Sequence, residues 1–457
     1  MIATVLNLSF VAAATDYAKR QGLADLAIRY NPVVRYHVSR TIDQFQRADL
    51  SGRRRLSDRL TARTIAAARG SGYGRQFGDR YEDWPLLTKT MVRDAPASFV
   101  RGRFPRIPAS TSGTTGTPLL LQRSASCAAA EQTFLDRLLG PNGPSWGAAR
   151  IAVLRGDMVK PSADKRPPFA VHTHFGRRLL LSSVHLEPEN FAWYVDALNR
   201  FRPQILLVYP NLAINLLRLL EQTGQSIRPE AIITSSEQLA TGVRQTLERK
   251  MGVPVHDFYG QSERVCFASS SEAESYWFNP AYGRVEFAPA PWYDAGPDRR
   301  AVSIIGTTFW NDAMPLVRYD TGDLAIVSST AGAAELEEIA LGLRPFLGIA
   351  GRSNEFIMTP DGLRFTGIDQ IAKGVDNILR SQIIQEESGQ VLVQVLAGPG
   401  FNDTNHGEML RNIRTKMPGS MTFRVKIVDR LTTTPAGKTP FVIRYGNTPC
   451  NATARHA

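Results

Sequence analysis

Within Thr111 to Gly116, two glycines stand among four hydroxyl residues, and Thr117-Pro118 closes the stretch. Such a turn offers many N–H and O–H donors and little side-chain bulk, which suits a polyanion such as a nucleotide triphosphate. A surface turn of Ser, Thr and Gly has the same composition, so the loop alone does not decide. It is not the phosphate loop that ends in Gly-Lys-Ser/Thr, because no lysine follows Gly116. The one Gly-Lys-Thr, at Gly437-Lys438-Thr439, lacks the earlier glycine of that motif. If this loop holds phosphates, its cation comes from elsewhere in the chain.

Three further polar signatures follow in order: Tyr259-Gly260-Gln261-Ser262-Glu263, Tyr319-Asp320-Thr321-Gly322-Asp323 and Leu431-Thr432-Thr433-Thr434-Pro435-Ala436-Gly437-Lys438. The elements around them must bring them together. Residues 16 to about 80 have helical spacing, Gly70 to Gly74 is a turn, and a short helix follows Trp84-Pro85-Leu86-Leu87-Thr88-Lys89. Short apolar strands are expected at 151–154, 204–209, 231–234 and 255–259, separated by helices at 187–200, 212–222 and 242–250. That alternation predicts parallel pairing, with ligands gathering beyond the carboxyl ends of the strands. Pro210-Asn211, Ser235-Ser236-Glu237 and Gly260-Gln261-Ser262-Glu263 fall at such ends. Residues 282–327 read as β-rich and 331–348 as an Ala- and Leu-rich bridge. Past Gly351-Arg352-Ser353-Asn354 a smaller unit is expected, with helices at 368–379 and 408–416 and strands at 391–395 and 423–428.

At 457 residues the chain is long for one core, so two domains are expected, 1–350 and 351–457. An apolar fraction of 43% and a charged fraction of 21% are those of a globular protein, and no run is long and apolar enough to span a bilayer. Met1 to Thr15 is apolar but lacks a basic leading segment, which favours a helix over a signal peptide and points to the cytoplasm. Three scattered cysteines, Cys127, Cys266 and Cys450, suggest a reducing compartment and form no metal-binding pair. The net charge of +12 favours anionic ligands. Much of it lies between Arg47 and Arg63, which reads as a solvated helix face, so nucleic acid is not an expected partner.

The four signatures in this order, with Gly351-Arg352 at a domain joint, resemble the adenylate-forming superfamily of acyl-CoA synthetases, adenylation domains and luciferases. The Trp84 to Lys89 leader is most similar to the phenylacetate-CoA ligase group and its capsule-biosynthesis relatives. The resemblance implies an α/β fold: a large N-terminal domain with a helical start, parallel-type sheets and a β-rich subdomain, then a small mobile α+β C-terminal domain. It implies ATP and Mg²⁺ as cofactors, coenzyme A as co-substrate, and a small-molecule carboxylic acid and acceptor as partners of a monomer or homodimer.

By the same resemblance, Thr111, Ser112, Gly113, Thr114, Thr115 and Gly116 hold the β- and γ-phosphates, and Glu263 ligates Mg²⁺. Tyr259 stacks on adenine with Ser235, Ser236 and Glu237 at its edge, beside Gly260, Gln261 and Ser262. Asp323 takes the ribose hydroxyls and Arg352 approaches the same sugar. Lys438 bridges the carboxylate and the α-phosphate, so Lys438, Glu263 and Thr114 are the expected catalytic residues. Tyr209, Asn211, Ser236 and Gly260 face the acid, and Asn354 is the hinge. Phosphoryl chemistry of this kind depends mainly on positioning and charge neutralisation. Competing readings are a core ring for Tyr259, caps for Glu263 and Asp323, and a solvated lysine for Lys438.

The chain departs from the family pattern at four places. No lysine precedes Pro118, the hinge carries Asn354 in place of Asp or Lys, and Thr432-Thr433-Thr434 replaces Pro-Arg-Thr. Cys266 stands alone where some relatives carry a cysteine and histidine metal site, so no zinc is expected. Coenzyme A is the expected acceptor. An amine or hydroxyl acceptor is the alternative, and a non-catalytic nucleotide-binding scaffold is the alternative of another class.

Overall fold

The computed structural model describes residues 22–102, 106–110, 119–141, 143–157, 159–161, 163–236, 239, 241–291, 295, 298–350, 357–362, 364–365, 368–372, 374–398, 400–428, 431–432 and 441–444. The expectations for Met1 to Thr15, the 111–118 loop, Glu237, the 351–354 joint and residues 433–438 lie outside them. Three helices open the described chain: Leu23–Arg29, Pro32–Arg47 and Leu50–Ala68. Asn31 and Asp49 start the second and third by accepting the backbone N–H groups of Val34 (3.1 Å) and Gly52 (2.8 Å).

A hairpin of β1 (Ile107–Ser110) and β2 (Leu120–Arg123) follows, antiparallel, and residues 111–119 connect its arms. The large sheet is built from β3 (Ile151–Arg155), β4 (Ala170–Thr173), β5 (Arg178–Ser182), β6 (Ile205–Val208), β7 (Ala231–Ser235), β8 (Val255–Gly260), β9 (Phe267–Glu272) and β10 (Ser275–Phe278). Its order is β10-β9-β8-β7-β6-β3-β5-β4. The run β8-β7-β6-β3-β5 is parallel, and the strands outside it are antiparallel.

Alternation along the central strands explains how the sheet is covered. Ala152, Leu154, Leu206, Val208 and Ile232 face one core, with side chains from the helices Phe191–Phe201, Pro210–Thr223 and Thr241–Met251. Ile151, Val153, Ile205, Leu207 and Ile233 face the other, and there Val38, Ile42, Phe45, Leu60 and Phe134 meet them. The helical start is therefore the lid of the sheet's second face. A parallel sheet must be buried on both sides, which is why its strands read as unbroken apolar runs.

The basic helix is anchored more firmly than a solvated face would be. Arg53 donates to the carbonyls of Leu341 and Gly342, both at 2.8 Å, Arg54 pairs with Glu337, and Arg63 donates to the Phe309 carbonyl. These bonds fasten it to the β-rich subdomain, a sheet ordered β11 (Gly283–Pro289), β12 (Arg299–Thr308), β13 (Tyr319–Ser328) and β14 (Gly348–Ala350). The Ala- and Leu-rich bridge forms the helix Ala333–Ala340 and then β14, which joins the sheet edge.

The last unit has a two-stranded piece, β15 (Ile357–Met358) with β16 (Arg364–Phe365), and a four-stranded sheet. The latter runs β19 (Thr422–Ile427), β18 (Gln390–Ala397), β17 (Ile378–Glu387), β20 (Val442–Arg444). The helix expected over 368–379 is corrected here: one 3₁₀ turn, Ile368–Ile371, is followed by β17. Gly374 at φ 74° and Asn377 at φ 60° adopt left-handed conformations that end a helix and turn the chain. The helix Asp403–Lys416 starts earlier than expected because Asn402 caps it, accepting from the backbone N–H groups of Thr404 and Asn405. Arg218, on the helix Pro210–Thr223, donates to the carbonyls of Gly362 (2.7 Å) and Asp361 (2.9 Å), tying this unit to the large sheet.

Candidate functional site

The parallel strands end nearly level. Leu154 pairs with Val208, Val208 with Thr234, and Ser235 with Phe258. The residues at the exits are Arg155, Tyr209, Ser235 and Tyr259-Gly260, so four strands deliver polar or aromatic side chains to one rim. Tyr209 is half-buried, Ser235 is buried and Ser236 is exposed at φ 69°. Asn211 lies in the first turn of the helix Pro210–Thr223. The sequence-predicted walls of the site therefore share the carboxyl end of the sheet.

Tyr259 and Glu263 are each bonded to the signature sixty residues further on. The Tyr259 hydroxyl donates to Asp323 Oδ2 at 2.9 Å, and the Tyr319 hydroxyl donates to Glu263 Oε1 at 2.7 Å. Burial, reinforced by the Asp323 charge, pushes the Tyr259 phenol well above its usual range, so it remains a donor at neutral pH. Asp323 owes its position to an irregular strand. Between β12 and β13 the register shifts so that Ile305 faces Asp320 while Ser303 faces Leu324. Gly322 takes the extra turn at φ 73°, and Thr321 Oγ1 donates to the Ile304 carbonyl (2.8 Å) while accepting the Asp323 N–H (3.1 Å). The Asp-Thr-Gly-Asp signature is thus a bulge that re-aims one carboxylate.

Glu263 is 6% exposed, and no described donor takes its second oxygen, Oε2. Mg²⁺ prefers one or two carboxylates completed by phosphates and water, so a single oriented carboxylate fits it. Around Glu263 the loop is held from three sides. Arg123, at the end of β2, donates to the Ser262 carbonyl at 2.8 Å and so connects the hairpin of the hydroxyl-glycine loop to this turn. Gln261 Nε2 donates to Cys266 Sγ at 2.8 Å, which commits the Gln261 side chain to its own loop. Arg264, at φ 60°, turns away from the rim into a buried pairing with Glu131, which also accepts from the Tyr282 hydroxyl. Burial pushes the Cys266 thiol up to about 12.

The leader Trp84 to Lys89 has a structural part in the same assembly. The Leu87 N–H donates to the Arg318 carbonyl (2.9 Å) and the Asp320 N–H to the Leu87 carbonyl (2.8 Å), so the leader brackets the strand that carries Tyr319. Two residues to which sequence reasoning gave no role line the candidate site. Tyr319, fully buried, orients Glu263. Arg155 leaves the end of β3, donates to Ser235 Oγ at 3.2 Å and lies over the Tyr209 ring at 5.6 Å. The signal for Arg155 was a charge directly following the four-residue apolar run 151–154. Thr111, Ser112, Gly113, Thr114, Thr115, Gly116, Glu237, Arg352, Asn354 and Lys438 lie outside the described residues.

The profile of the CapK C-terminal domain matches residues 357–445. Protein CapK of Staphylococcus aureus is 24% identical over 374 residues, 79% of this chain and 79% of that protein. The phenylacetate-coenzyme A ligase of Aromatoleum evansii is 24% identical over 294 residues, covering 62% of this chain and 60% of the ligase. That of Escherichia coli strain K12 is 27% identical over 169 residues, 35% of this chain and 36% of the ligase. Among solved structures, 2-hydroxyisobutyryl-CoA ligase, in complex with 2-HIB-AMP and CoA, superposes with a TM-score of 0.54 at 15% identity, covering 86% of this chain and 90% of that one, which shows the shared fold. With the two signatures cross-bonded as described, these similarities support the adenylate-forming ligase resemblance, in the group of CapK-like and phenylacetate-CoA ligase-like proteins.

Proposed function

We propose that this chain activates a carboxylic acid with ATP and passes the acyl group to coenzyme A. A carboxylate oxygen attacks the α-phosphorus, the bond to pyrophosphate breaks, and an acyl-AMP forms. The thiol of coenzyme A then attacks the acyl carbon and AMP leaves. The observation that carries this reading is the reciprocal pair of bonds, Tyr259 to Asp323 and Tyr319 to Glu263. They hold the Tyr259 ring and the Asp323 and Glu263 carboxylates together, which supports their assignment to adenine, ribose and metal.

In this reading Tyr259 stacks on adenine beside Ser235, Ser236 and Glu237, Asp323 and Arg352 hold the ribose, and the 111–116 loop holds the β- and γ-phosphates. Glu263 would hold Mg²⁺ through Oε2, and the ion would neutralise phosphate charge. Lys438, carried by a small unit of residues 351–457, approaches the carboxylate and α-phosphate and withdraws when that unit turns about Asn354. Tyr209, Asn211, Ser236 and Gly260 face the acid, and the ring of Tyr209 suits an aryl or medium acyl group. The supply of ATP and coenzyme A places this work in the cytoplasm. A second reading, direct transfer to an amine or hydroxyl, stands beside it because the match that covers more of this chain, 79% against 62% and 35% for the two ligases, is to CapK, whose name specifies no acceptor.

ATP–pyrophosphate exchange over a panel of aryl, fatty, hydroxy and amino acids tests the activation step. Exchange with one acid class is expected, and Lys438→Ala should reduce it by about a hundredfold or more, since a cation aimed at the transition state contributes about 3–5 kcal/mol. Full exchange in the variant would remove Lys438 from the chemistry. ATP binding without exchange for any acid would favour the non-catalytic scaffold.

A further inference from the structure

Arg155 is the one rim residue whose chemistry the activation step does not use. Its guanidinium crosses the end of β6 to reach Ser235 Oγ on β7 at 3.2 Å, and the Tyr209 ring lies below it at 5.6 Å. Its Nε is buried without a hydrogen-bond partner, and no carboxylate among the described residues pairs with it. A guanidinium has five donors in a fixed fork, and a neutral hydroxyl with an aromatic face satisfies few of them. An anion arriving with a ligand would satisfy the remaining donors with strong, charge-assisted bonds. The next residue leaves room for one. Gly156 is exposed, and a Cβ there would come no nearer than 3.7 Å to the Tyr209 hydroxyl.

The position of this anion along the rim distinguishes it from the reacting carboxylate. In the order β8-β7-β6-β3 the Arg155 guanidinium lies across the end of β6, between its own strand and Ser235 on β7, so its charge sits about two steps of about 4.8 Å, ~10 Å, from β8, which carries Tyr259. Nucleotide contacts at Tyr259 and Asp323 hold the α-phosphate toward the β8 side, and the carboxylate that attacks it must lie there as well. Arg155 approaches from the opposite end, across Tyr209. We infer that Arg155 receives a second anionic group of the acid, so that the substrate is a dianion: a dicarboxylate, activated at one carboxylate and held by the other. This inference rests on the activation reading for the identity of the pocket.

The test uses the full chain with Mg²⁺ and α,β-methylene ATP, and titrates a series of dicarboxylates against their own monomethyl esters by calorimetry. The series runs from succinate to suberate and includes isophthalate and terephthalate. At least one dianion should bind about tenfold or more tightly than its ester, the size expected of a charge-assisted pair. Arg155→Met should bring that ratio to about one, and Arg155→Lys, which keeps the charge but not the fork, should retain part of it. No dianion exceeding its ester in the wild-type protein overturns the inference. So does an equal loss for dianion and ester in Arg155→Met, which would assign Arg155 to the reacting carboxylate. Pyrophosphate exchange on the same acids separates the two claims: a charge preference that persists in binding with no exchange leaves this inference standing and removes the activation reading.

Discussion

Arg264 and Arg155 both stand where a strand of the large sheet meets the rim, yet their surroundings are opposite. Arg264 is paired with Glu131, which is 4% exposed and also accepts from Tyr282. Arg155 has one hydroxyl and one aromatic face. A charge at a strand end is therefore not evidence of function by itself. Where the protein supplies the counter-charge the arginine holds the loop in place, and where no described carboxylate does, as at Arg155, a ligand anion is the proposed counter-charge.

The largest expected effect comes from breaking the paired member. Arg264→Met leaves the Glu131 carboxylate buried without its cation and should cost about 3–5 kcal/mol of unfolding free energy in urea titrations. Arg155→Met should cost less than about 1 kcal/mol, because no buried partner is stranded. Equal losses at the two sites would erase the distinction between them.

Asp257 shows a third treatment of a charge near the same rim. It is buried on β8, accepts from Thr234 (2.6 Å) and Tyr276 (2.5 Å), and burial pushes its carboxyl up to about 6 from 3.8. Below about pH 4 both folded and unfolded chains hold this proton. Between about pH 4 and 6 the unfolded chain releases it while the folded one keeps it, so stability falls as pH rises by roughly 3 kcal/mol across that window. Asp257→Asn should flatten this part of the stability curve. An unchanged slope would mean that Asp257 ionises in the folded protein.

The distribution of these charges also explains what could be read from sequence. The parallel core was legible because its strands are buried on both faces and appear as unbroken apolar runs. The position of Ser235, Tyr259 and Glu263 at the strand exits is legible because each falls at or just past the end of an apolar run. Three features were not. The cover provided by the helical start depends on contacts between Val38 or Phe45 and strands more than a hundred residues away, which no local period encodes. The sequence reads 368–379 as one helix, merging the 3₁₀ turn with the first two residues of β17, because its apolar spacing fits a helix and only the left-handed Gly374 and Asn377 break it. Arg155 is not legible because the lack of a carboxylate partner among the described residues is a property of the assembled rim.

The smallest expected effect tests whether the Tyr259–Asp323 bond belongs to the nucleotide side of this comparison. Tyr259→Phe keeps the ring and removes the donor at 2.9 Å from Asp323 Oδ2. Asp323 also has its backbone N–H tied to Thr321, so the carboxylate should stay near its place while losing one of the bonds that aim it. If Tyr259 stacks on adenine and its hydroxyl orients the ribose acceptor, AMP affinity should fall by about 5- to 10-fold, the size of one ordinary hydrogen bond, with unfolding free energy changed by only about 1 kcal/mol. Arg155→Met should leave AMP affinity nearly unaltered, since its one bond toward the nucleotide side is that to Ser235 Oγ at 3.2 Å. Calorimetry with AMP alone reads both variants. Unchanged affinity in Tyr259→Phe would reduce the bond to packing between β8 and β13, whereas a loss shared by both variants would mean that the two ends of the rim act on one ligand group.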